Sequence, residues 1–370
     1  MYKQPALTSS AKRILICPLN WGLGHATRCI PIISYLTELG HEVIIAADGG
    51  PFELLRREFP KHESIRFPGP SPTYNSSGSQ LWAIARQTPA LLGSIVAENR
   101  FIRQQVSKLD IHAIISDNRY GAFHPDLPSV LITHQLQICI PKKLRLFAPP
   151  AQLLIHRLIN NFDACWVPDL NDGVRLSGDL SEKNGIKIPV HYIGLLSRYL
   201  CEPKQPYTDS SEKKFVLAVL SGPEPQRSLF EQIVINCFAG SGAKLHLLRG
   251  LPLNDESISC PPNIQVHNYL DRDKMLRLFN DAEHIICRSG YSTLMDLIIM
   301  GKKAFLVPTP GQPEQEYLAK RMKQLRWFDS CIQTNFSEAY PGWKKEEFEQ
   351  PQFTDVFALR EHLRVWLDQH

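Results

Sequence analysis

Short apolar runs alternate with stretches of helical periodicity through most of this chain, and the alternation begins afresh near its middle. A strand covered on both faces reads as a continuous apolar run. A parallel neighbour can be reached only by a crossover, usually a helix. The pattern therefore specifies parallel sheets with helices packed on them, an α/β fold. In the first half it predicts strands over 13–17, 42–46, 113–116, 129–133, 164–167 and 190–193, with helices over 27–39, just after Pro51, and over 82–108. The second half repeats the scheme with strands at 215–220, 245–248, 264–269, 304–307 and 331–333 and helices at 228–238, 274–281 and 314–325, and a helix at 357–368 closes the chain. Between the halves, 200–213 is polar and holds two prolines, as an interdomain linker does. The expected organisation is a first domain over 1–199, a second over 214–350 and a C-terminal helix within 351–370. Two doubly wound, Rossmann-like domains would face one another across a cleft, with ligands at the C-terminal ends of the strands.

At 370 residues the chain is long enough for two ordinary domains, and 43% apolar with 21% charged residues is a globular composition. A net charge of +4 does not ask for nucleic acid, which requires a concentrated basic face. The nine cysteines are scattered without a C-x-x-C pair, so neither a zinc site nor a redox dithiol is expected and a reducing cytoplasm is favoured. The N-terminus lacks an apolar signal core, and no run is long enough to span a bilayer.

The most informative motif is C-R-S-G-Y-S-T-L-M-D from Cys287 to Asp296. A buried strand enters a Ser-Gly turn and then a helix. Free N–H groups at a helix start, with the equivalent of about half a positive charge, can hold a phosphate. Asp296 lies two turns in, where its carboxylate could accept from ribose hydroxyls; an ordinary strand–turn–helix unit is the plain alternative. Asn20-Trp21-Gly22-Leu23-Gly24-His25 follows the first strand in the same way, but Thr27 replaces the third glycine of the dinucleotide fingerprint, and no ribose-binding acid follows. A plain dinucleotide site is thereby excluded, while the glycines still allow close approach of a substrate to the backbone. His25, at a helix start, is expected to be held neutral and able to accept a proton, with packing as its other role.

Other strand ends carry polar residues. Ser221-Gly222-Pro223 could donate N–H groups to a phosphate, although prolines 223 and 225 thin the donors. Asp117 and His134 end first-half strands and are candidate catalytic partners, and Tyr269 ends a second-half strand on the nucleotide side. Glu314 and Gln315 could bind sugar hydroxyls, or simply begin a helix rich in acid. Asp271-Arg272-Asp273 resembles a metal motif but precedes an amphipathic helix, where aspartate is the favoured cap; no metal is expected. The stretch 141–162 carries Lys142, Lys143, Arg145 and Arg157 among apolar residues, and either lies on an anionic bilayer or turns its cations to water.

Taken together these motifs resemble GT-B glycosyltransferases of the family 28 type, over 13–325. That family includes the transferase adding N-acetylglucosamine to the peptidoglycan lipid intermediate and the plant galactolipid synthases. Gly22-Leu23-Gly24-His25 is similar to its N-terminal glycine-histidine loop, and Arg288 to Asp296 to its donor element R-x-G-x-x-T-x-x-E. The resemblance implies an acceptor-side first domain and a second domain gripping a UDP-sugar. Ser289, Gly290 and Thr293 would lie at the diphosphate, Asp296 at the ribose, Gln315 at the sugar and Ser221-Gly222 at the glycine-serine turn. His134-Gln135 stands where the family has His-Glu, and Glu316 where it has a second Gln. The implied reaction is a metal-independent, inverting transfer from UDP-sugar to a lipid or glycan hydroxyl. His25, with Asp117 or His134, would be the base, Arg288 would steady the diphosphate, and no cofactor is needed. Gly22 to Cys29 also resembles the loop of a UDP-sugar hydrolase of the same fold, whose acceptor is water. A non-catalytic nucleotide-sugar binder is the third reading. The loop 68–80 is expected to close over an acceptor, and the protein to work in the cytoplasm, at the inner membrane face if 141–162 touches lipid.

Overall fold

The computed structural model describes residues 11–69, 80–139, 148–200, 215–252, 257–343, 348–349 and 358–370, with the side chains of 80–88 outside the description. All but the first residue of the expected linker, most of the 68–80 loop and the cations Lys142, Lys143 and Arg145 lie outside the described residues.

The first unit runs β1 (Arg13–Pro18), α1 (Leu23–Glu38), β2 (Glu42–Ala47), α2 (Gly49–Glu58), β3 (Glu63–Arg66), α3 (Gln80–Leu109), β4 (Ala113–Asp117), β5 (Ser129–Ile132), α4 (Ala148–Ile159), β6 (Ala164–Val167) and β7 (Val190–Tyr192). Its seven strands are parallel in the order β3-β2-β1-β4-β5-β6-β7. The second unit runs β8 (Phe215–Val219), α5 (Gln226–Phe238), β9 (Leu245–Leu248), β10 (Ile264–His267), α6 (Arg272–Asp281), β11 (Ala282–Cys287), α7 (Tyr291–Ile299), β12 (Phe305–Leu306), α8 (Pro313–Gln324), β13 (Asp329–Ser330) and α9 (Phe336–Ala339). Its sheet is also parallel, ordered β10-β9-β8-β11-β12-β13.

Burial explains the strands. Ile14 to Cys17 and Ile114 to Ile115 are wholly buried, since these central strands carry helices on both faces. β3, Glu63-Ser-Ile-Arg66, escaped the sequence reading because it is an edge strand with a charge at each end. The strand expected at 331–333 lies at 329–330 instead, and Gln333–Asn335 forms a 3-10 turn.

The last helix, α10 (Ala358–Gln369), packs against the first unit. Leu359, Leu363, Trp366 and Leu367 follow helical spacing and are buried, and the Trp366 ring meets Trp166 of β6 edge-on at 5.4 Å. Lys12 Nζ donates to the Leu367 carbonyl at 2.6 Å. In both sheets the strand order reverses beside the first strand, between β1 and β4 and between β8 and β11. A crevice opens at such points, and there the candidate residues collect.

Candidate active site

The β1–α1 loop turns at Gly22, whose φ of +131° is open to glycine and strained for other residues. It delivers His25 to the first turn of α1, beside Asp117 at the end of β4. His25 Nδ1 lies 2.7 Å from Asp117 Oδ1. Arg28, one turn further on, donates Nε to Asp117 Oδ2 at 2.9 Å and a terminal nitrogen to Oδ1. Asp117 is fully buried and Arg28 nearly so, which makes this a bidentate pair in low dielectric. Burial works to raise the Asp117 carboxyl, but Arg28 and then His25 outweigh it and hold it below the usual carboxylate range. For His25, burial pushes the imidazole down further than Asp117 pulls it up. The ring is thus neutral near pH 7, and its Nδ1 sits between Asp117 Oδ1 and Arg28 Nη2, the latter 2.8 Å away; in the tautomer that donates Nδ1–H to the carboxylate, Nε2 is the proton acceptor. Arg28 was not among the sequence candidates. Its place one helical turn beyond His25 was the available signal.

His134 follows β5. Its Nδ1 lies 3.3 Å from Arg28 Nη1, and its Nε2 lies 2.8 Å from Glu314 Oε1 of the second unit. Gln135 also donates its amide to Glu314, so the amide at 135 acts here as a donor across the cleft. Burial works to raise the Glu314 carboxyl, but His134, Arg28 and His25 bring it below its ordinary value.

The second unit supplies the β11–α7 turn. Gly290 caps α7, and the Ser292 hydroxyl donates to the Gly24 carbonyl at 3.0 Å, so the two helix starts touch. Gly24 permits this approach: a Cβ there would lie 2.9 Å from Ser292 Oγ. Thr293 is half-buried on the same first turn. Asp296 is buried. Its Oδ1 accepts from the Ser197 hydroxyl at 2.6 Å, and Arg198 stands 4.0 Å from Oδ2. Burial raises its carboxyl to about 6 despite Arg198 and Ser197.

Arg288 requires a correction. It is wholly buried, and it donates to the carbonyls of Val307, Pro308 and Gln226 and to the Gln333 side chain, with Phe230 4.2 Å beneath it. No carboxylate accompanies it in that set, and burial brings its pKa down to about 9. The guanidinium ties β11 to its surroundings from within and does not reach toward a diphosphate. Ser289 likewise turns inward and donates to the Gln315 carbonyl at 2.8 Å. The Gln315 amide is engaged in its own loop: Oε1 accepts from Thr309 N at 2.9 Å, and Nε2 lies 2.5 Å from Gln312 Oε1.

Ser221 and Gly222 are exposed after β8, and Gly222 faces Thr309, whose buried hydroxyl has no hydrogen-bond partner among the described residues. Tyr269, after β10, is half-buried with Arg57 of α2 5.5 Å from its ring centroid, so the first unit reaches over this side. Asp271 caps α6, accepting from Lys274 N at 2.9 Å. Among the described residues no cluster of three histidine, cysteine or acidic side chains is placed to hold a metal, and no helix is long and apolar enough to cross a membrane.

Comparison with known proteins bears on the fold. The chain shares its fold with the glycosyltransferase of kitacinnamycin (TM-score 0.60, 17% identity, 97% of this chain and 96% of that one). It also superposes on MurG of Acinetobacter baumannii (0.55, 13%, 97% and 100%) and on CalG4, the calicheamicin glycosyltransferase (0.58, 15%, 97% and 94%). Two parallel sheets meeting at their strand ends in this way form the GT-B fold. Residues 214–333 match the glycosyltransferase family 28 C-terminal domain. The chain has the GT-B fold, and its second unit is similar to the glycosyltransferase family 28 C-terminal domain. Uncharacterized glycosyltransferases of Methanosarcina mazei (22% identical over 326 residues, 82% of this chain and 81% of that protein) and Methanosarcina acetivorans (23% over 337, 82% and 81%) are similar along most of their length.

Proposed function

We propose that this glycosyltransferase moves a sugar from a UDP-sugar to a lipid or glycan hydroxyl by metal-independent, inverting displacement in the cytoplasm. One observation carries the reading: His25, oriented by Asp117 at 2.7 Å, stands at the helix start that touches the first turn of α7. The acceptor hydroxyl gives its proton to His25 Nε2 as its oxygen bonds to the anomeric carbon. The bond from that carbon to the diphosphate breaks, and UDP leaves with the electron pair. General base help contributes roughly 10²–10⁴-fold, and the rest comes from alignment of the reactants and stabilisation of the departing charge. That stabilisation falls to the N–H groups opening α7, with the Thr293 and Thr309 hydroxyls at hand. Asp296 is the group suited to the ribose, and Glu314 to the sugar once His134 and Gln135 release it. The exposed face of α4, with Leu153 70% exposed, is where a lipid acceptor's membrane would approach.

The test is incubation of purified protein with several UDP-sugars, with and without membrane extract, following UDP release and the sugar product. Acceptor-dependent glycoside supports transfer. Free sugar with UDP in the absence of acceptor would replace transfer with hydrolysis, and tight UDP binding without turnover would make the protein a sensor.

A further inference from the structure

Tyr291 opens α7 immediately after Gly290, yet its side chain belongs to the other unit. It is almost wholly buried, and its hydroxyl donates to the Pro168 carbonyl at 2.9 Å, in the loop that follows β6. Its ring lies on the His134 imidazole, centroids 3.8 Å apart and planes within 5°. Burial and then the Asp169 carboxylate push its phenol up, so the hydroxyl stays protonated and donates. Two lone contacts of this kind would be packing. Here they come from one side chain, and that side chain is the first residue of the helix whose N–H groups face the donor side.

His134 is held on three sides. Arg28 and His25 face it from α1, Glu314 from α8 and Tyr291 from α7. A carboxylate accepts only from Nε2–H, and a guanidinium donates only to an Nδ1 lone pair, so the two edge contacts set the tautomer. Ring nitrogens bond best in the ring plane, and the stacked phenol keeps that plane from tilting away from the two partners.

We propose that Tyr291 is a positioning residue for the transfer reaction: its ring fixes the plane of His134 while its hydroxyl docks the first turn of α7 on the loop after β6, so that the donor-side turn and the imidazole move as one body. The inference rests on the proposed UDP-sugar reading for its kinetic consequence, and on the geometry alone for its effect on His134. A donor settling against the start of α7 is thereby registered at the histidine pair, with no contact between the donor and His134 required.

The experiment compares Tyr291→Phe, which keeps the ring and loses the bond to Pro168, with Tyr291→Leu, which loses both. Nitrogen-15 imidazole spectra of the unliganded wild type should show His134 as a single Nε2–H tautomer. Phe should preserve it, and Leu should give mixed tautomers. With UDP-sugar, Leu should lower kcat about ten- to a hundredfold at unchanged donor KM, and Phe about two- to tenfold. A wild-type His134 that is averaged or Nδ1-protonated overturns the proposal, as does a Phe variant that loses the single tautomer. A Leu variant with an unchanged spectrum, or no slower than Phe, overturns it too. Should Leu fail to fold, the wild-type and Phe spectra still decide. Should no UDP-sugar be turned over, the functional reading fails, and the spectra still judge Tyr291.

Discussion

The two helix starts that meet in the cleft, β1–α1 and β11–α7, have the same local architecture and opposite chemistry. Each leaves a central strand where the strand order reverses. At the first, titratable side chains gather: His25 and Arg28 of α1 form one network around the buried Asp117 at the end of β4. At the second, the one charged residue of the turn, Arg288, faces the interior, and backbone with small hydroxyls is left on the cleft side. Moving a proton requires a titratable group with fixed partners. Holding a phosphate requires N–H groups that no resident side chain already occupies. In the proposed reaction, one strand–turn–helix unit, used twice, would supply the two halves of the transfer.

Breaking the first unit should have the largest effect. Asp117→Ala leaves Arg28 buried without its counter-ion and should destabilise the fold by about 3–5 kcal/mol in denaturant titration. His25→Ala should lower kcat by roughly 10²–10⁴-fold with UDP affinity by calorimetry preserved. Wild-type turnover in His25→Ala would remove the acid–base assignment and with it the contrast between the turns. Activity at low pH sharpens the same point. His25 is depressed by burial, so the acid limb of kcat/KM should fall below the ordinary histidine range of about 6.5.

Arg288→Met tests the second unit. Its carbonyl partners lose their donor, so stability should drop by about 1–3 kcal/mol, while UDP affinity of the folded variant stays within about threefold. A loss of UDP affinity well beyond that, in a variant that still folds, would put the guanidinium back at the diphosphate and erase the difference between the turns.

Asp296 gives a pH signature of its own. Its folded-state carboxyl sits at about 6, above an unfolded value of 3.8. The folded protein therefore holds the extra proton between these values, and this group's contribution to stability is full below the lower one and lost as pH rises through about 6. Donor binding should run the other way, since ribose hydroxyls donate to the ionised form. Donor KM should rise as pH falls through about 6 in the wild type and stay flat in Asp296→Asn. An identical pH dependence in the two proteins would take Asp296 out of the donor site.

Much of this was legible beforehand, because buried parallel strands write themselves as apolar runs: 164–167 and 245–248 have the same limits in sequence and structure. His25, Asp117 and His134 were named because polar residues at strand ends point into the cleft of such folds, and the structure gathers them in one hydrogen-bonded network through Arg28. Arg288 was misplaced for a general reason: a sequence shows that a cation stands beside a phosphate turn but not which way it leaves the strand, and alternate strand residues face opposite sides. Arg28 and Tyr291 were overlooked because their value lies in partners more than eighty residues away, at Asp117 and Pro168. β3 gave no apolar run because an edge strand need not be apolar.

The smallest effect probes the contact between the turns themselves. Ser292 Oγ donates to the Gly24 carbonyl at 3.0 Å, and a methyl on Gly24 would fall 2.9 Å from that oxygen and 3.2 Å from Ser292 Cβ. Ser292→Ala removes one hydrogen bond, about 0.5–1.5 kcal/mol, and should slow turnover by about two- to tenfold. Gly24→Ala should cost more, because the methyl forces the helix starts apart instead of merely loosening them. In the double variant the added methyl no longer meets the oxygen, so the losses should fall short of their sum, with a coupling of about 0.5–3 kcal/mol. Strict additivity in the cycle would mean that the turns do not touch during turnover. The proton acceptor and the diphosphate cradle would then belong to two separately moving bodies, and their likeness of shape would carry no mechanical link.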